Sequence, residues 1–101
     1  MNLTLVQHSD GVPLRLIVKN VDGEVIPLTG SEVSFHYKKT DKTEVKTCSI
    51  VDAAKGICKV ILNEADLDIG DCHYYYQLHV KFSDTQEYIS ARDSFYVEAV
   101  I

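Results

Sequence analysis

Asp71-Cys-His-Tyr-Tyr-Tyr-Gln-Leu-His-Val-Lys-Phe82 is the stretch whose reading decides the fold. Cys72, Tyr74, Tyr76, Leu78, Val80 and Phe82 fall on one parity, and Asp71, His73, Tyr75, Gln77, His79 and Lys81 on the other. A strand sends successive side chains to opposite faces, so one apolar face packs on a core and one polar face meets water. The period is two, which excludes a helix. A strand with one wet face is expected to have antiparallel neighbours.

Working outward, short strands are expected at Asn2–Gln7, Leu14–Lys19, Glu24–Ile26, Glu32–Lys39, Glu44–Val51 and Ile57–Leu62. After the long strand, a return begins at Tyr88 and Ile89, and Ala91-Arg92-Asp93 breaks it. A last strand carries Phe95, Val97, Ala99 and Ile101. Turn residues separate them: Ser9-Asp10-Gly11 ahead of Pro13, the Asp22-Gly23 pair, Thr40-Asp41-Lys42-Thr43 and Ser83-Asp84-Thr85-Gln86. In Glu44–Val51, Val45 and Val51 lie on one parity and Cys48 and Ile50 on the other. A bulge or a crossing between sheets is expected there. Ile57–Leu62 is apolar on both faces, which predicts a central strand. Gly56 is expected to take a positive φ. Asn63–Leu67 reads as a single helical turn with Asn63 as its N-cap. About seven to eight short strands with turns every 8 to 12 residues predict an all-β, immunoglobulin-like antiparallel β-sandwich with one short helical turn, spanning residues 1–101 as a single domain.

Composition bounds the function. The 101 residues are 46% hydrophobic and 25% charged, as in an ordinary globular domain. A net charge of -5 disfavours nucleic acid and an anionic membrane surface as partners. No apolar run approaches the roughly 18 residues of a membrane-spanning helix. The N-terminus lacks the basic and apolar blocks of a signal peptide, so synthesis and folding in a cytoplasm are expected. Cys48, Cys58 and Cys72 form no close pair in sequence and read as small apolar side chains.

No residue pattern announces chemistry. His73 and His79 are six positions apart on one face, roughly 20 Å, too far to share a metal ion. His36 or His8 would have to come near one of them by chance. Cys72 and His73 point to opposite faces and cannot pair as nucleophile and base. Asp66 and Asp68 read as capping and solvated residues. Asp10, Asp22, Asp41 and Asp84 lie in separate turns and form no calcium loop. No catalytic, cofactor-binding or metal site is assigned, and no pocket with convergent polar groups is expected. Tyr75, flanked on the wet face by His73 and Gln77, is with His73 and His79 the candidate protein contact, although it could equally be one tolerated surface aromatic.

Three segments carry a resemblance: Ser9–Lys39, Thr47–Leu62 and His73–Asp84. Ser9, Asp10 and Pro13 come first. Leu28, Thr29, Gly30, Val33 and Phe35 follow, then Ile50, Val51, Asp52 and Gly56. The aromatic strand with Tyr74, Tyr75, Tyr76 and Phe82 precedes the Ser83-Asp84 turn. This ordered set resembles the N-terminal domain of phage baseplate upper proteins. Two features depart from it: the segment from Gly70 to Tyr74 is longer and carries Cys72, and Asp93-Ser94 stands where the family places a glycine. Family members usually continue into a stalk or receptor-binding region. This sequence stops at Ile101, which fits either a domain cut at its boundary or a free-standing relative. The resemblance implies a non-enzymatic structural domain of a phage or prophage virion tail or baseplate, made in the bacterial host cytoplasm. It would join tail-tip or receptor-binding components through protein–protein contacts, with other tail or baseplate proteins, or further copies of itself, as partners. A carbohydrate-binding or adhesion module is the alternative, and it would need two or more exposed aromatics on one face.

Overall fold

The computed structural model describes residues 3–101. The described residues form nine strands: β1 (Thr4–Val6), β2 (Val12–Ile17), β3 (Glu32–Lys39), β4 (Lys42–Thr47), β5 (Ser49–Asp52), β6 (Ile57–Leu62), β7 (Cys72–Ser83), β8 (Gln86–Ile89) and β9 (Asp93–Glu98). A six-stranded sheet runs β1-β9-β7-β3-β4, with β8 also on β7, and a three-stranded sheet runs β2-β6-β5. The two sheets face each other in a sandwich. No helix forms among the described residues.

The period-two reading of β7 holds. Tyr74, Tyr76, Leu78 and Val80 are buried against Val33, Phe35 and Tyr37 of β3 and Phe95 and Val97 of β9. Leu14, Leu16, Cys58, Val60 and Leu62 supply the opposing sheet. Aromatic rings fill the centre: Phe35 stacks on Tyr76 at 5.0 Å and Tyr74 lies 5.4 Å from Phe95. Apolar area taken from water is the main stabilising term here. β3, β8 and β9 are all antiparallel to β7.

The untidy Glu44–Val51 segment is two strands. β4 belongs to the larger sheet and β5 to the smaller, so the chain crosses between sheets at the buried Cys48. A register shift between Ile50 and Asp52 adds the bulge. That explains why the parity slips. β6 is central in its sheet. Gly56 has φ 65°, and a Cβ there would sit 2.7 Å from the Ile26 carbonyl oxygen.

Several boundaries differ from the sequence reading. Asn2 lies outside the described residues. β1 pairs with β9 in parallel, so the sandwich is not wholly antiparallel. Direction is free there because no tight turn joins the first and last strands. Pro13 lies inside β2, opposite Ile61, at a position facing the sheet's free edge where no donor is needed. The Glu24–Ile26 strand shrinks to one bridge, Lys19 to Val25. Asn20 Oδ1 accepts from the Asp22 and Glu24 amides and tightens that hairpin into a loop. The last strand ends at Glu98, because its partner β7 begins at Cys72 opposite Val97. Asn63–Leu67 is a hydrogen-bonded turn and not a helix, with the Asp66 and Leu67 amides donating to the Asn63 carbonyl.

Candidate functional site

The solvent face of the six-stranded sheet is the candidate site. Alternation fixes its membership: His73, Tyr75, Gln77, His79 and Lys81 of β7 stand beside Ser34, His36 and Lys38 of β3. Beyond them lie Thr43, Val45 and Thr47 of β4, Ser94 and Tyr96 of β9, and Ile89 of β8. The row from Val45 through His36 to Gln77 carries no Lys, Arg, Asp or Glu, and Lys38 stands directly opposite Tyr75. Tyr75 and Val45 are 46% and 57% exposed, which is high for residues in mid-strand.

The three candidate contact residues separate into two groups. His73 and Tyr75 sit together, ring centroids 6.4 Å apart, and Tyr96 meets His73 edge-on at 5.1 Å. His79 lies further along, stacked on His36 with centroids 3.6 Å apart. The sequence reading left that approach to chance. Register produces it: Ser34 pairs with His79 and His36 with Gln77, so His36 and His79 are diagonal neighbours. His79 Nδ1 lies 2.9 Å from Glu87 Oε1, and His36 Nε2 lies 3.0 Å from Ser34 Oγ. The His36 pKa is lowered, first by burial and then by the like charge His79 would carry, while Glu87 acts weakly the other way. Among the described residues no three His, Cys, Asp or Glu converge to hold a metal ion.

A shallow hollow of about 320 Å³ lies beside Tyr75, with His36, Lys38, Thr43, Gln77 and Arg92 around it. The sequence led us to expect no pocket with convergent polar groups, and this hollow has several, drawn together by the β3–β7 register and by the break before β9. None of them forms a nucleophile–base pair. The three thiols are all free. Cys48 and Cys58 approach each other inside the core, where their shared hydrogen bond and burial push the Cys48 pKa up. A thiol held protonated in this way is inert.

A second polar cluster escaped the sequence reading. Asp66 accepts from Tyr37 Oη at 2.8 Å, Lys46 Nζ at 2.5 Å and its own turn's Asn63 amide at 2.7 Å. Burial raises its pKa, but these three donors outweigh it and hold the carboxyl below the usual range. Lys39 is 4% exposed and donates to Asp68 Oδ1 at 2.7 Å and to the Ala65 carbonyl at 3.1 Å. The cluster pins the 63–68 turn to β3 and β4. Its hydrogen bonds are all made within the fold, and its role is structural. One signal was available: Lys39 stands on the buried parity of β3.

The match to known families decides the wider context. The model of the BppU N-terminal domain, the N-terminal domain of baseplate upper proteins, matches residues 6–99. The chain belongs to this family. Among solved structures, the N-terminal domain of phage TP901-1 ORF48 is similar, with a TM-score of 0.72 and 14% identity over 97% of this chain and 85% of that one. At that identity the likeness speaks for the fold. No curated protein matches. Membership makes this a structural domain of a phage tail or baseplate, located in the virion and associated with other tail or baseplate proteins.

The family's ordered motif maps onto turns and core. Leu28 is buried, and the Leu28 carbonyl accepts from both the Ser31 amide and its hydroxyl around Gly30 at φ 74°. Asp10 Oδ1 accepts from the Glu64 amide at 3.0 Å, tying the first loop to the 63–67 turn. Asp52 Oδ1 accepts from the Lys55 amide ahead of Gly56.

Proposed function

We propose that this domain works without enzymatic chemistry and joins tail-tip or receptor-binding components of the baseplate through the solvent face of its six-stranded sheet. Tyr75, with His73 beside it and His79 further along, makes the contact. The observation that carries this reading is Tyr75 itself: an aromatic ring 46% exposed in mid-strand, next to the uncharged Gln77 and Ser94 and with Lys38 directly opposite. Interface centres are enriched in Tyr and depleted in charge, with a polar rim. The domain acts as one unit over residues 1–101.

The test is co-purification with each tail protein encoded beside it, followed by calorimetry with wild type and Tyr75→Ala. Removing a central aromatic anchor should weaken binding by roughly thirtyfold or more while leaving thermal stability unchanged. Unchanged affinity in Tyr75→Ala would remove this face from the contact. Binding of an oligosaccharide in place of any tail protein would support the adhesion reading instead.

A further inference from the structure

We propose that β4 is a seam by which two copies of this chain join, edge to edge and antiparallel, about a two-fold axis at Val45. The inference rests on the edge of the sheet and stands whether or not the Tyr75 face meets a tail protein.

The phase of the β3–β4 ladder comes first. The Cys48 amide donates to the Val33 carbonyl at 2.9 Å, and Thr47 pairs with Ser34. In an antiparallel ladder, residues that point their backbone groups at the partner alternate with residues that point them away. Lys42, Glu44 and Lys46 therefore bond β3, and Thr43, Val45 and Thr47 turn their N–H and C=O groups outward. β4 is the terminal strand of its sheet, and all three residues are exposed. They offer three donors and three acceptors in a row.

Natural edges are blunted with proline, bulges, short length or charge. The other edges of this fold are blunted in those ways. β2 has Pro13, β5 has four residues and a register shift, β8 has four residues, and β1 has three. β4 has six residues with no proline, glycine or bulge; its charged residues, Lys42, Glu44 and Lys46, are the ones that bond β3, and its outward positions are Thr, Val and Thr.

The sequence of this edge complements itself. About Val45, Thr43 faces Thr47 of the second copy and Val45 faces Val45. Both pairs lie on the solvent face and exchange two backbone bonds each, six in all counting the symmetric Thr pair. Between them Glu44 faces Lys46 of the second copy, twice. Glu44 has no ion pair among the described residues. Cross-strand Thr–Thr pairs and opposite charges are favourable neighbours. A partner with an arbitrary strand would have no reason to match Thr-Glu-Val-Lys-Thr in reverse, whereas a second copy does so by symmetry.

Sedimentation over a concentration series, with hydrogen exchange read residue by residue, tests this. Wild type should show a reversible monomer–dimer equilibrium. The amides of Thr43, Val45 and Thr47 should gain protection as concentration rises, while those of Glu44 and Lys46 stay protected throughout. Val45→Pro removes an outward donor on each copy without touching the β3 ladder and should weaken the dimer about tenfold or more. Val45→Thr keeps the donor and should still dimerise. Glu44→Lys sets like charges opposite each other at both symmetric positions and should weaken the dimer while leaving the fold intact. A monomer at every concentration, an oligomer indifferent to Val45→Pro and Glu44→Lys, or rapid exchange of the three outward amides at all concentrations would overturn the proposal.

Discussion

Asp66→Ala is the most informative single perturbation of the fold. Its carboxylate takes hydrogen bonds from Tyr37, Lys46 and the Asn63 amide. Three groups lose a partner, at unequal cost. The Tyr37 residue is only 2% exposed, so its hydroxyl has no water to turn to. The Lys46 side chain is 21% exposed and can swing outward, and the Asn63 amide lies at an exposed turn. The unpaired phenol dominates, and with the lost ionic bonds the total is about 2–3 kcal/mol. In a domain of this size that lowers Tm by roughly 10–20 °C. The pH dependence gives a second reading. The folded pKa of Asp66 is depressed below 3.8, so its contribution is fully present above that value and is lost as pH falls through the folded pKa. Thermal melts at pH 7 and pH 3 should therefore differ more for wild type than for Asp66→Ala. A loss under about 0.5 kcal/mol at pH 7, the range of ordinary surface changes, would refute the account of a buried phenol that depends on this carboxylate.

Two further outcomes follow from the same geometry. Lys39 is buried and Asp68 is half exposed, so the pair is asymmetric. Asp68→Ala, which strands a buried ammonium on one carbonyl, should cost about 1–3 kcal/mol, whereas Lys39→Met, which frees a hydrated carboxylate, should cost less, as denaturant titration will read. His36 has a lowered folded pKa, so below 6.5 the unfolded chain takes up a proton that the folded chain refuses. Stability should fall as pH drops from 7 toward the folded pKa and level off beneath it, and His36→Gln should flatten that slope in melts between pH 7.5 and 5.

The alternation of β7 and β3 was legible because each has one wet face, and period two survives any register. β4 and β5 were legible only as a disturbance, since a strand that changes sheets exchanges its inner and outer parities at Cys48. The parallel β1–β9 pair was not legible. Leu5 and its partner Val97 are 92 positions apart in sequence, with no single tight turn joining their strands to fix direction. The His36–His79 stack and the Asp66 cluster were hidden for the same reason: each depends on which residue stands opposite which. Tyr75 was legible as exposed, because parity alone settles it.

The motif residues that carry the family resemblance explain why a fold can be recognised where a contact cannot. Leu28, Gly30, Asp52 and Gly56 answer to local geometry: a buried plug, two positive φ angles and a carboxylate closing a turn. Those demands come from the backbone of the chain itself and do not depend on what the domain binds. Tyr75 and the β4 edge meet no such demand. Val45 could be any β-branched residue without disturbing the β3 ladder, because its backbone groups face away from β3 and its side chain faces water. A position released from folding constraints in this way is free to be set by its partner. The turns and core therefore answer to the fold, and the solvent face of β7 and the free edge of β4 are left free to answer to a partner.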